Sequence, residues 1–133
     1  MFRRRSLAEE RDIFDRQLAL SRLDHVEDAL LEAAGTFLDE MPDMRCRLTT
    51  ASASGEPAVL ARAVHYVKSA VLLLGSRAAE RAALAAGEAC RQARFADLEK
   101  ASRDLELQLD LLERRIIEEF PALRRNAPGS DGG

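Results

Sequence analysis

Ala63-Val64-His65-Tyr66-Val67-Lys68-Ser69-Ala70-Val71-Leu72-Leu73-Leu74-Gly75 is the stretch whose reading decides the fold. With Leu60 placed before it, Val64, Val67, Val71 and Leu74 recur at steps of four, three, four and three. That is the period of one helix face turned towards a core. Gly75 stands where such a helix ends. Pro57 stands in its first turn, where the missing amide removes no hydrogen bond. His65 follows the seam residue Val64 and is therefore rotated from it by about 100°, to the edge of the seam or beyond. Its neighbours one turn away are Ala61, Arg62, Lys68 and Ser69. Burying an unpaired Lys68 beside it would be very costly, so His65 is expected to face solvent.

Outward from this helix the pattern stays helical. Ser6-Leu7-Ala8-Glu9 reads as a capping box that opens a first helix running to about Leu20, and Ser21 to Asp24 are expected to restart a second. Val26, Leu30, Ala33, Phe37, Met41, Met44, Leu48 and Ala51 mark one face of a longer helix, with a kink expected at Pro42. Residues 51–55 (Ala-Ser-Ala-Ser-Gly) read as a loop. A further helix from about Arg77 to Arg94 presents Ala79, Ala82, Ala83, Ala86 and Ala93. A last one, from about Asp97 to Leu123, turns Ala101, Leu105, Leu109, Leu112, Ile116, Phe120 and Leu123 inward. No segment alternates with the period of two that a half-buried strand requires. The expected fold is all-α: an antiparallel up-and-down four-helix bundle with an extra N-terminal helix. Residues 1–23 form the extension, 24–125 the bundle and 126–133 a disordered tail.

Composition narrows the function. The chain has 133 residues, enough for one domain with a real core, and its apolar content rests on Leu and Ala with few aromatics and no Trp. A net charge of −3 argues against a nucleic-acid surface. The basic start Met1-Phe2-Arg3-Arg4-Arg5 leads into no apolar segment, so it does not read as a signal peptide. No apolar run is expected to span a membrane. Cys46 and Cys90 lie far apart without a metal-ligand pattern and read as reduced thiols of a cytoplasmic protein. His25, beside Asp24 and Glu27, reads as a surface residue, and no metal site is expected.

An outward neutral imidazole is a competent nucleophile, and Lys68 and Arg62 would stabilise the oxygens of a phosphoryl group attached to it. Ala61 and Ser69 leave room beside the ring, and Leu72 and Leu73 add an apolar rim. This arrangement resembles the histidine phosphotransfer domain family of two-component phosphorelays. The likeness runs from Phe37-Leu38-Asp39-Glu40-Met41-Pro42 through Ala63-Val64-His65-Tyr66-Val67-Lys68-Ser69 to Leu74-Gly75 and the two helices beyond, about residues 24–120. Ser69 departs from the glycine usual in the family, and Gly87 from a larger apolar residue. The resemblance implies that His65 is the phosphoacceptor, reacting through Nε2, and that Lys68 stabilises the phosphoryl group. Ala61, Arg62, Ser69 and Leu72 would then touch the partner. It implies that receiver domains of response regulators or hybrid kinases are the partners, with Mg²⁺ held by the receiver and no cofactor bound by this chain. The chain carries no glycine-rich nucleotide loop, so it is expected to be a monomeric transfer intermediate rather than an enzyme. The alternative is a helical adaptor that binds a signalling partner through the same face without carrying phosphate.

Overall fold

A computed structural model describes residues 4–126. Among these residues six α-helices follow one another: α1 Leu7–Ile13, α2 Arg16–Arg22, α3 Glu27–Ser54, α4 Pro57–Val71, α5 Arg77–Gln92 and α6 Phe95–Glu119. Single 3₁₀ segments cover Leu72–Leu74 and Pro121–Asn126, and no strand occurs among the described residues. Helix α4 packs between α3 and α5, α5 packs on α6, and α6 returns to α3.

The apolar periodicity explains this packing. Leu60, Val64, Val67, Val71 and Leu74 are all buried, against Phe37, Met41, Met44 and Leu48 of α3 and Leu105, Leu109, Leu112 and Ile116 of α6 within one core. Helix α5 offers that core Ala79, Ala83, Ala86 and Ala89, whose small side chains allow close backbone approach. By length and hydropathy alone Pro57–Leu74, with a mean hydropathy of 1.3, would be apolar enough to cross a membrane. Its seam is instead buried in the helical core, and its outer face carries Arg62, His65 and Lys68.

Several expectations from the sequence need correction. The first helix does not reach Leu20. Its capping box forms as read, but the helix stops at Ile13, because Phe14 and Asp15 turn extended and Asp15 caps a new helix by accepting the Leu18 amide at 3.0 Å. No helix restarts over Ser21 to Asp24. Helix α2 ends at Arg22, and Asp24 and His25 take left-handed backbone angles before α3 begins. Helix α3 passes through Pro42 and runs on to Ser54, so residues 51–54 are helical and only Gly55, at φ 70°, ends it. Ala34 rather than Ala33 lies fully buried on its inner face, and Val26 stays exposed as its cap. Ala93 leaves the α5 face altogether and closes that helix at φ 54°. Helix α6 ends at Glu119, with Phe120 and Leu123 only half-buried beyond it. The expected tail, apart from Asn126, lies outside the described residues.

The N-terminal helices are fastened to the end of the histidine-bearing helix. The Asp15 amide donates to the Gly75 carbonyl at 3.0 Å, and the buried Asp15 carboxylate accepts from Arg77 at 2.7 Å. Arg22 donates to the Leu72 carbonyl at 2.6 Å and pairs with Glu80 at 2.7 Å. A further group joins Arg16 to Glu27 and Glu119, with its guanidinium 5.2 Å above the Phe120 ring.

Candidate functional site

Helix α4 divides its residues between two tasks. The seam holds it in the core, and the opposite side presents His65, Lys68, Ser69 and Arg62 to solvent. Anchorage at both ends fixes that presentation. Pro57 opens the helix, and at its far end Ser76 caps α5 by accepting the Ala79 amide while Gly75 makes the left-handed turn between them.

The flanks of His65 differ. On one side α4 and α5 enclose a groove lined by Ala61, Val64, His65 and Lys68 from α4, and by Ala83, Leu84, Gly87, Cys90 and Arg91 from α5, with Pro57 and Ala58 at its end. No carboxylate lines it. Burial pushes the Cys90 thiol up, so the groove floor is apolar rather than thiolate. On the other side α3 and α4 form a shallow depression in which Ser69, Ala70 and Leu73 meet Glu32, Phe37 and Glu40, with no cation in the lining. Further towards the start of α4, Arg62 lies with Cys46 and Arg47.

The structure therefore joins Ala61, His65 and Lys68 in one groove and sets Ser69 and Arg62 on the opposite flank. The Ser69 hydroxyl donates to the His65 carbonyl at 3.1 Å, which turns it onto its own helix. Leu72 and Leu73 are exposed at this end of α4, Leu73 in the lining of the α3-side depression and neither in the lining of the α5-side groove. Tyr66 points to α3, where its hydroxyl lies 3.4 Å from Asp43 and Arg47 stacks 4.4 Å from its ring centre. Burial, aided by the nearby Glu40 and Asp43 charges, raises the Tyr66 phenol above its ordinary value, so it remains a neutral wall. His25 is exposed at the turn before α3.

Reading the sequence missed Leu84, Gly87 and Arg91 as neighbours of His65. They come from the next helix, at no spacing that a single-helix period can register. The only sequence signal was Gly87, an unexplained glycine inside a helix that otherwise favours alanine.

No protein-family model, curated protein or solved structure matches the chain.

Proposed function

We propose that the protein is a histidine-containing phosphotransfer protein of a phosphorelay. The observation that carries this reading is an outward His65 with Lys68 one turn on, at the mouth of a groove, on a helix whose other face is wholly buried. Helices α3 to α6 are read as its up-and-down four-helix bundle, since short connections of two to five residues between packed helices favour antiparallel neighbours. Residues 24–125 form that unit.

The transfer needs little from this chain beyond position. The Nε2 lone pair of neutral His65 attacks the phosphorus of a receiver's aspartyl phosphate. A P–N bond forms, the P–O bond to the aspartate breaks, and the carboxylate leaves with the bonding electrons. The imidazole keeps its Nδ1 proton or releases it to water. In the second transfer a carboxylate oxygen of another receiver attacks the same phosphorus, the P–N bond breaks, and its electrons return to Nε2. Lys68 lies beside the developing charge and stabilises the phosphoryl oxygens in both directions. Ala61 and the groove give an incoming acidic pocket access to the ring.

The test is to incubate the full chain with phosphorylated receivers and follow acid-labile, alkali-stable phosphate. Wild type is expected to label and His65→Gln to stay blank. Failure to label from any receiver would sink the relay reading, and persistent labelling of His65→Gln would sink the site. Lys68→Ala is expected to slow transfer about tenfold, the equivalent of one charge-assisted hydrogen bond of about 1.5 kcal/mol. The exposed Leu72 and Leu73 also suit an adaptor that docks through this face without phosphate. Binding of a receiver with no label on His65 would favour that second reading.

A further inference from the structure

Resting on the phosphotransfer reading, we infer that the partner's acidic, metal-binding face seats over α5, in the groove between α4 and α5, and not over α3. Charge separates the two sides of His65. The α5 side offers Lys68 and Arg91 with no carboxylate in its lining, whereas the α3-side depression at Ser69 offers Glu32 and Glu40 with no cation; Arg62 and Arg47 of that flank lie further towards the start of α4, where Arg47 is paired with Asp43. A face that carries several carboxylates is attracted to the first and repelled by the second. Arg91 is poised for this. Its Nε and Nη2 donate to Glu88 at 3.0 and 2.5 Å, which leaves Nη1 over the groove floor, 3.8 Å from where a Cβ on Gly87 would stand.

Shape agrees with charge. Leu84 is 55% exposed on the groove wall, and Gly87 leaves the floor beside it open. Glycine in a helix interior weakens the helix relative to alanine, and at Gly87 neither a left-handed angle nor a close backbone contact requires it. The space it keeps is bounded by Leu84, Ala61 and His65 and takes one apolar side chain of the partner. Gly87 and Arg91 thus decide which acidic partners reach His65.

The experiment measures transfer to the full chain from a receiver domain charged with acetyl phosphate and Mg²⁺. Labelling by phosphoramidate, a small donor that needs no docking face, runs beside it. Gly87→Leu is expected to raise the KM for the receiver at least tenfold and to lower the ratio of receiver-driven to phosphoramidate-driven labelling as much. Arg91→Glu, an exposed change that leaves the core alone, is expected to raise the same KM and flatten its salt dependence. Glu32→Ala with Glu40→Ala on the α3 side should move it less than twofold. If the α3-side pair alters KM and the two α5 changes do not, the partner sits over α3 and the inference is overturned. If wild type is labelled by phosphoramidate but by no receiver, the relay reading itself falls and this inference with it.

Discussion

Two glycines flank the candidate site, and their surroundings are opposite. Gly75 sits at φ 64°, and a Cβ there would stand 2.6 Å from the Asp15 carbonyl oxygen and 2.9 Å from the Ala19 amide nitrogen. Both obstacles are backbone and cannot yield. Gly87 lies within α5, and its nearest obstacle is the end of the flexible Arg91 side chain at 3.8 Å. The first glycine is demanded by the fold, because the N-terminal segment crosses directly over it. The second is not. The difference teaches that the end of α4 is rigidly clasped while the groove beside His65 is left open.

The sharpest way to break this contrast is Gly75→Ala. Left-handed strain and the backbone collision together are expected to remove about 3 kcal/mol or more of stability. A denaturant melt unchanged from wild type would show that the N-terminal segment does not close over Gly75. Asp15→Ala comes next, with an expected loss of about 1–2 kcal/mol through the α2 cap. Burial disfavours the Asp15 charge, but the Leu18 amide and Arg77 outweigh it and hold the carboxyl below its ordinary 3.8. Its contribution is therefore present above pH 3.8 and lost as pH falls through the lower folded value. The gap between wild type and Asp15→Ala should then be full at neutral pH and shrink in acid. A gap that grew in acid would reverse the assignment.

Gly87→Ala has the opposite expected sign, a gain of about 0.8 kcal/mol from helix propensity, or roughly 3 °C in Tm. A loss would mean that the floor of the groove is filled and not open. The smallest effect is expected of Ala93→Gly. It relieves the left-handed cap of α5 for a net gain of about 0.5 kcal/mol, after the extra freedom of glycine in the unfolded chain is set against it. Thermal unfolding by circular dichroism reads both.

What was legible in the sequence was what depends on near neighbours. The seam from Leu60 to Leu74, the capping box at Ser6, the start at Pro57 and the end at Gly75 each follow from residues within a few positions of one another. The outward turn of His65 and Lys68 follows from the same period. What was not legible depends on distant partners. The stop at Phe14 and Asp15 is set by a hydrogen bond to Gly75 and an ion pair with Arg77, some sixty residues on. Local propensity would let the helix run. Burial of Ala34 instead of Ala33, and the place of Arg91 in the groove that His65 lines, depend likewise on which helices become neighbours. The split of Ser69 and Arg62 from Lys68 needed the walls of the groove to be seen.

Among the features of the α3 flank is the exposed Cys46, near Arg62, whereas the other free thiol, Cys90, is buried. A maleimide dye under native conditions should therefore attach at one position only, without any engineered cysteine. That position lies on the α3 side of α4, away from the groove that Lys68 and Arg91 line. The native chain thus comes with a built-in attachment point for a fluorescent reporter, on the flank of the histidine-bearing helix that faces away from the α4–α5 groove.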